Sequence, residues 1–224
     1  MDRFTFIPVC GLTGSGKSAH LDLLRADGQQ VVSVEFLAGV TGVCLRNLSD
    51  QVITADELRH RLFSELEGFA TSKPVYVEWK PELVHRVELP AEFVQAVRRS
   101  TAFVAVDSFA NRLDRLMADY APLLDHLDYV VEIFHRSGIF DENRMRLMRG
   151  FMVCDDARGM ASYLLQHHFD PLYVSDLKKF DALAYGRFDP LGGGFLGTVL
   201  PRPPFDLDGW LLDGVMLDDA LLTR

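Results

Sequence analysis

Residues 11–18 read Gly-Leu-Thr-Gly-Ser-Gly-Lys-Ser, and this stretch decides the fold. Two glycines separated by four residues and followed by Lys and Ser form the Walker A pattern. An apolar run from Phe4 to Cys10 leads directly into it, and an amphipathic segment with Leu21, Leu23 and Leu24 follows it. The order predicts a buried strand, a phosphate-binding loop (P-loop) and a helix in direct succession.

The composition of this loop suits an anionic phosphate. Glycines let consecutive backbone N–H groups curl around a phosphate, and a helix beginning near Gly16 adds the positive end of its dipole. Lys17 is expected to reach the outer phosphates, and the Ser18 hydroxyl is expected to bind Mg²⁺. The predicted ligands are Mg²⁺ with ATP or GTP, or another small molecule that carries a diphosphate. The residues predicted to line this site are Gly11, Thr13, Gly14, Ser15, Gly16, Lys17 and Ser18.

Length, charge and cysteine content narrow the function classes. A chain of 224 residues, 48% of them hydrophobic, suits one α/β domain with some appended structure. Neither a bilayer-spanning apolar run nor a signal-peptide profile is visible, so we expect a cytoplasmic protein without a membrane partner. Three widely spaced cysteines predict neither a disulfide framework nor a metal site. The net charge of −9 disfavours tRNA as a partner, because nucleic-acid affinity comes largely from Lys and Arg.

Alternating apolar and amphipathic segments extend the α/β pattern along the chain. They predict a parallel five-stranded sheet of order 2-3-1-4-5 between helices, as in P-loop NTPases. After the first strand, the further strands are predicted at Gln29–Glu35, Pro74–Trp79, Ala102–Asp107 and Pro171–Ser175. Helices are predicted at Asp56–Phe69, Glu92–Arg98 and Ala110–Leu124.

The rest of the chain divides into two further regions. Residues 127–168 are predicted to form a helical accessory region, broken at Ser137-Gly138 and around Asp155-Asp156. We therefore assign residues 1–179 to a P-loop NTPase domain. Residues 180–224, rich in Gly, Pro and aromatic residues, are predicted to be an extension that can dock a protein partner.

Phosphate chemistry also needs a carboxylate for the metal and a cation for the transferred group. Glu35, Glu78 and Asp107 end predicted strands, and Glu78 is the first choice as metal ligand and catalytic residue. Its run of residues 74–79 is predicted to lie beside the P-loop strand. The predicted catalytic cations are Arg146 and Arg149, one helical turn apart in the accessory region, with Arg112 and Arg115 as alternatives.

Several separated segments, taken together, resemble the P-loop domain of the bacterial tRNA 2-selenouridine synthase family. They are residues 11–18, 26–39, 74–90, 112–120 and 164–173. That family replaces sulfur by selenium in the wobble 2-thiouridine of tRNA through a geranylated intermediate. The resemblance therefore implies geranyl diphosphate or selenophosphate as ligands besides a nucleoside triphosphate, and a substrate-side role for His168 and Asp170.

The chain also departs from this family at particular positions. Full-length members carry a rhodanese domain ahead of the P-loop domain, and here nothing precedes the first strand, so we expect its chemistry to be absent. The family usually has His-Arg-Gly-Ser where this chain has residues 40–43, Val-Thr-Gly-Val, and Glu-Ser where it has Lys80-Pro81. These differences predict a retained phosphate site with altered substrate recognition.

Two classes of function therefore remain open. In the first, the chain is an enzyme, either a Mg²⁺-dependent P-loop NTPase or a phosphate-donor transferase, with a small-molecule kinase as a further alternative. In the second, it is a nucleotide-binding interaction module that has lost its chemistry. The intact Lys17 and Ser18 favour the enzyme, because Mg²⁺-phosphate chemistry needs these residues and packing does not.

Overall fold

One sheet organises the molecule, whose computed structural model describes residues 1–39, 53–80, 89–121, 125–188 and 195–198. Its described strands lie in the order β2-β3-β1-β4-β5-β6. They are β1 (Phe6–Gly11), β2 (Gln30–Ser33), β3 (Val75–Glu78), β4 (Thr101–Ala105), β5 (Ala182–Phe188) and β6 (Phe195–Thr198). The first five are parallel, and β6 pairs antiparallel with β5. The predicted order 2-3-1-4-5 is confirmed.

Helices connect the strands and form the accessory region. They are α1 (Lys17–Ala26), α2 (Val34–Leu37), α3 (Ala55–Glu67), α4 (Ala91–Arg99), α5 (Phe109–Asp119), α6 (Leu127–Ser137), α7 (Glu142–Val153), α8 (Ala157–Leu164) and α9 (Asp170–Leu177). A π-helical turn, Leu165–Phe169, joins α8 to α9. The side chains of Thr54, Ser108 and Asp141 accept hydrogen bonds from backbone N–H groups and so cap the N-termini of α3, α5 and α7.

Apolar side chains cover both faces of the sheet, because successive residues of a strand point to opposite sides. On one face, Phe6 and Cys10 of β1 belong to the largest buried cluster, together with Leu62 of α3 and Phe93 of α4. On the other face, Val9 of β1 packs in a smaller cluster that includes residues of α1 and β4. The sheet is therefore a buried layer between helices, as the strand pattern predicts.

The helical lobe, residues 127–169, has a hydrophobic cluster of its own. Val130, Phe134, Met145 and Met148 are buried there together with residues of α5. Its helices break where the sequence predicts: α6 ends at Ser137, before Gly138 in a left-handed conformation, and α7 ends at Val153, before Asp155. The lobe is thus packed onto the sheet domain through α5.

Helix α9 is anchored to the sheet by a buried carboxylate. The Asp176 carboxylate accepts a hydrogen bond of 2.6 Å from Trp79 Nε1 and one of 2.8 Å from Arg98 Nη2. Lys179 Nζ lies 3.3 Å from the same carboxylate. These contacts hold α9 against β3 and α4.

The predicted position of the fifth strand is wrong. Residues 171–175 belong to α9, with Pro171 in its first turn, directly after the π-helical turn. The short apolar run there fits a strand or a buried helix equally well. The strand that pairs with β4 is Ala182–Phe188, beyond the predicted boundary at residue 179.

Parts of the sequence analysis fall outside the described residues. These parts are the family departures at 40–43 and at Pro81, and the extension at 189–194 and 199–224 with its predicted protein partner. The helix predicted at Ala110–Leu124 is α5, which ends at Asp119. Within the described part of the chain, no helix combines the length and the apolar character that crossing a membrane requires.

Candidate phosphate-binding site

The loop between β1 and α1 depends on glycine at three positions. Gly11, Gly14 and Gly16 have φ angles of 137°, 80° and 86°, which residues with a side chain rarely adopt. A Cβ atom on Gly14 would lie 2.6 Å from the carbonyl oxygen of Arg112, and one on Gly11 would lie 2.5 Å from that of Ala105. The loop therefore packs too closely against β4 and α5 for other residues.

The ammonium group of Lys17 lies inside the loop. Lys17 is 5% exposed, and its Nζ donates hydrogen bonds to the carbonyl oxygens of Gly11 at 2.7 Å and Leu12 at 3.0 Å. The same atom lies 4.9 Å from the ring centroid of Tyr173 on α9. The structure thus holds one positive charge against the first residues of the loop.

Two buried hydroxyl groups in the loop suit an anionic ligand. Among the described residues, Thr13 Oγ1 and Ser15 Oγ have no hydrogen-bond partner, although both atoms are buried. Buried hydroxyl groups are normally hydrogen-bonded, so each of these atoms is an unused donor. A phosphate group offers acceptor oxygens for such donors, and the loop therefore fits the predicted ligand.

Ser18 and Glu78, which the sequence predicts as the metal-binding pair, lie in direct contact. Ser18 Oγ donates a hydrogen bond of 2.9 Å to Glu78 Oε1, and Ser33 Oγ donates one of 2.6 Å to Glu78 Oε2. The contact arises because β3 pairs with β1 in parallel, with Val9 opposite Glu78. The carboxyl end of β3 therefore lies beside the loop.

The Glu78 carboxylate is ionised despite its burial. Burial raises the pKa of Glu78, but the Lys80 ammonium and the hydrogen bonds from Ser33 and Ser18 outweigh it, so the pKa lies below the usual value. A carboxylate next to a hydroxyl group offers the oxygen ligands that Mg²⁺ prefers. The pair therefore fits the predicted metal.

In the sequence Lys80 is only a departure from the family pattern, and the contacts of its side chain are not predicted. Its Nζ lies 3.1 Å from Glu78 Oε1 and forms an ion pair with Glu35 Oε2. Burial lowers the pKa of Lys80, but the charges of Glu78 and Glu35 raise it further, so the ammonium form is kept. The sequence does contain one signal for the contact between Lys80 and Glu78, because residues 78 and 80 of an extended segment point to the same side.

Helix α5 supplies two arginines that contact the loop. Arg112 Nη1 donates hydrogen bonds to the Thr13 carbonyl oxygen at 3.1 Å and to Asp170 Oδ1 at 2.9 Å, and Nη2 donates to Asp170 Oδ2 at 2.8 Å. Arg115 donates to the Gly14 carbonyl oxygen, and at 2.9 Å to Asp107 Oδ2. Both are alternative catalytic cations predicted from the sequence, and in the structure they bind carbonyl oxygens of the loop.

The first-choice cations, Arg146 and Arg149, lie on α7 in the helical lobe. Arg146 Nη1 donates a hydrogen bond of 3.3 Å to Asn143, and Arg149 Nη1 lies 3.8 Å from a carboxylate oxygen of Glu142. Helix α7 packs against α6 and α8. None of the described contacts brings either side chain to the loop, and their catalytic role stays a prediction.

The remaining candidates lie in different settings. Asp107 accepts hydrogen bonds of 2.8 Å from the backbone N–H of Ser108 and from Asn111 Nδ2, so it supports the start of α5. His168 packs edge-to-face against Phe140 in the lobe. Burial raises the pKa of Asp170, and the charges of Arg112 and Lys17 oppose that rise.

No family model and no curated protein matches the sequence. Among solved structures, the chain is similar to TT1252 from Thermus thermophilus at 18% identity, covering 72% of this chain and 96% of that one, with a TM-score of 0.38. It is also similar to a gluconokinase from Sinorhizobium meliloti 1021 at 18% identity, covering 67% and 74%, with a TM-score of 0.28. The predicted relation to tRNA 2-selenouridine synthases is not confirmed, and the fold assignment rests on the strand order.

Proposed function

We propose that this chain binds a nucleoside triphosphate with Mg²⁺ at residues 11–18 and transfers its terminal phosphoryl group to a small molecule. The observation that carries the proposal is the 2.9 Å hydrogen bond from Ser18 Oγ to Glu78 Oε1. It joins the hydroxyl of the loop to a carboxylate on the neighbouring strand. A serine and an acidic side chain are the protein ligands of Mg²⁺ in P-loop enzymes.

Each residue of the site has a distinct role in this proposal. Ser18 and Glu78 hold Mg²⁺, which when bound neutralises charge on the phosphates. The ammonium of Lys17 exchanges its contacts with the carbonyl oxygens of Gly11 and Leu12 for contacts with the outer phosphates. The hydroxyls of Thr13 and Ser15 donate to phosphate oxygens. Binding therefore satisfies the hydroxyl groups of Thr13 and Ser15, which have no partner among the described residues.

The identity of the phosphate ligand is the finer part of the proposal. ATP and GTP are the first choices, and geranyl diphosphate and selenophosphate follow from the resemblance to selenouridine synthases. In this proposal the loop binds phosphate oxygens, and such contacts do not distinguish what the phosphate is attached to. The ligand must therefore be identified by measurement.

A second function, a nucleotide-binding module without turnover, is favoured by the state of two arginines. Phosphoryl transfer gains from a cation over the transferred group. Arg112 and Arg115 contact the loop, but both bind carbonyl oxygens and carboxylates. In a chain that keeps these contacts, neither arginine would stabilise the transferred group, and the ligand would be bound without fast transfer.

Thermal unfolding with four ligands tests both functions. Mg²⁺-ATP, Mg²⁺-GTP, geranyl diphosphate and selenophosphate are each added to the wild type, to Lys17→Ala and to Lys73→Ala, whose lysine is exposed. A ligand at a hundred times its dissociation constant adds about 2.7 kcal/mol to the free energy of unfolding. We expect that gain in the wild type and in Lys73→Ala, and its loss in Lys17→Ala.

Turnover then separates the two functions. ³¹P NMR monitors the formation of a nucleoside diphosphate together with a phosphorylated small molecule. If this formation depends on Lys17, the result supports the kinase. Binding without turnover for any acceptor supports the module. If none of the four ligands stabilises the wild type, both functions are wrong. Retention of the chain on tRNA at moderate salt would instead support an RNA substrate.

A further inference from the structure

We infer that the ammonium group of Lys80 competes with the divalent cation for Glu78, and so sets the metal concentration at which the site fills. Lys80 is a positioning residue in this inference, because it acts through Glu78. The inference rests on the proposed Mg²⁺ site at Ser18 and Glu78. It adds a determinant of metal affinity that the Walker A pattern does not contain.

The geometry places two donors on one carboxylate oxygen. Glu78 Oε1 accepts the 2.9 Å hydrogen bond from Ser18 and lies 3.1 Å from Lys80 Nζ. The other oxygen, Oε2, accepts from Ser33 at 2.6 Å. A cation held by Ser18 and Glu78 must bind at Oε1, the oxygen that already contacts the ammonium. Metal and ammonium would then be neighbouring positive charges, and their repulsion weakens metal binding.

The charges around Lys80 lead to the same result. Its ammonium forms ion pairs with two carboxylates, Glu35 and Glu78, and all three side chains are largely buried. Removing the lysine leaves two carboxylates at the same edge of the sheet without their shared cation. Grouped carboxylate oxygens are what a hard divalent cation binds. Loss of the lysine charge should therefore strengthen metal binding, whereas loss of a purely structural contact should not.

The ion pairs also keep Glu78 in place before the metal arrives. While Lys80 holds Glu35 and Glu78 together, the Glu78 carboxylate stays within hydrogen-bond distance of Ser18. Metal binding then requires release of the ammonium from Oε1, although its contact with Glu35 can persist. Lys80 thus lowers the affinity for the metal, but it keeps Glu78 in position beside Ser18 before the metal binds.

Titration of the chain with Mn²⁺ in the absence of nucleotide tests the inference. Mn²⁺ accepts the same oxygen ligands as Mg²⁺, and the EPR signal of free Mn²⁺ measures binding directly. Lys80→Met should bind Mn²⁺ at least about tenfold more tightly than the wild type, because the modest electrostatic repulsion between ammonium and metal is removed. Lys80→Arg keeps the charge and should bind like the wild type, and so should Lys73→Met, which changes an exposed lysine.

A double variant locates the metal. Lys80→Met combined with Glu78→Gln should lose the gain in affinity, because the carboxylate that binds the metal is gone. If Lys80→Met binds Mn²⁺ no more tightly than the wild type, the inference is wrong. If the double variant keeps the gain, the metal binds elsewhere, and the inference is equally wrong.

A measurement on the wild type covers the case in which Lys80→Met does not fold. The ¹⁵N NMR signal of the buried ammonium group, assigned with Lys80→Arg, should shift as Mg²⁺ is added to saturation. An unmoved signal at saturating Mg²⁺ contradicts the inference. Neither experiment contains nucleotide, so a wild type that binds no nucleotide refutes the proposed function without affecting this result.

Discussion

Helices α5 and α7 each carry a pair of arginines three residues apart, Arg112 with Arg115 and Arg146 with Arg149, and the two pairs have different partners. Arg112 and Arg115 on α5 bind carbonyl oxygens of the phosphate loop. Arg146 and Arg149 on α7 contact polar side chains of their own helix. The spacing puts each pair on one helical face, but tertiary packing decides what that face meets. Arginine spacing alone therefore does not predict a phosphate-site cation.

The largest expected difference between the two pairs is in stability. Arg112→Ala leaves Asp170 buried without its bidentate partner, and breaking a buried ion pair in this way costs about 3–5 kcal/mol. Arg146→Ala removes an exposed contact and should change the free energy of unfolding by less than about 0.5 kcal/mol. Urea denaturation measures both values. Similar losses in the two variants would show that the Arg112 pair does not hold the loop.

The next largest difference in stability is expected between two glycines with positive φ, one in the phosphate loop and one in the lobe. Gly14→Ala forces a side chain into a conformation that costs about 1–3 kcal/mol. Its Cβ would also lie 2.6 Å from the carbonyl oxygen of Arg112. Gly138→Ala in the lobe carries only the conformational cost, because a Cβ there would meet no atom of the described residues within 4 Å. Gly14→Ala should therefore lose more stability in urea than Gly138→Ala, and equal losses would contradict the close packing of the loop against α5.

Buried histidines in the lobe and in the sheet domain predict how the stability changes as the pH falls. Burial lowers the pKa of His168 in the lobe, with the Arg144 charge adding to the effect, and burial lowers the pKa of His20 on α1. In the unfolded chain the pKa of a histidine is about 6.5. Below that pH these histidines therefore take up protons in the unfolded chain but remain neutral in the folded chain. The free energy of unfolding should therefore fall as the pH drops below about 6.5, by at most about 1.4 kcal/mol per pH unit for each histidine.

The contribution of the lobe is isolated by His168→Gln. Urea denaturation at pH 7.5 and 5.5 should show a smaller pH dependence in this variant than in the wild type. His60→Gln is the control, because His60 is exposed on α3. Should His168→Gln and His60→Gln show the same pH dependence, His168 would not be held neutral by its surroundings.

The smallest expected effect is a gain in stability in the lobe. Gly150 lies inside α7, where a Cβ atom would have no neighbour within 4 Å in the described part of the chain. Alanine is the better helix former by about 0.5–1 kcal/mol, so Gly150→Ala should raise the melting temperature in a thermal scan. A lower melting temperature would mean that α7 is packed more tightly than the described contacts indicate.

The sequence predicts the first four strands for physical reasons, and the resulting topology places Ser18 beside Glu78, the two predicted metal ligands. Buried parallel strands are apolar runs, and such runs are visible in sequence. The strand order then places the end of β3 beside the loop that follows β1, which brings Glu78 to Ser18. Here local patterns and chain topology are sufficient.

Other features depend on contacts between distant residues. The partners Arg112 and Asp170 are 58 positions apart, and no local pattern links them. Strand β5 escapes detection because its seven residues include Gly186 and Arg187 and do not form an apolar run. The ion pair between Lys80 and Glu35 spans 45 positions and depends on the pairing of β2 with β3. Tertiary structure decides these features.

The π-helical turn at Leu165–Phe169 sets the rotational phase of α9 relative to α8. One residue turns an α-helix by about 100°, so a wide turn with an extra residue rotates everything that follows it. In this orientation Asp170 reaches Arg112 and Asp176 reaches Trp79. Deleting a single residue at the turn would swing both aspartates away from their partners at once, and the phosphate loop and the sheet would lose their common anchor through one change in helix register.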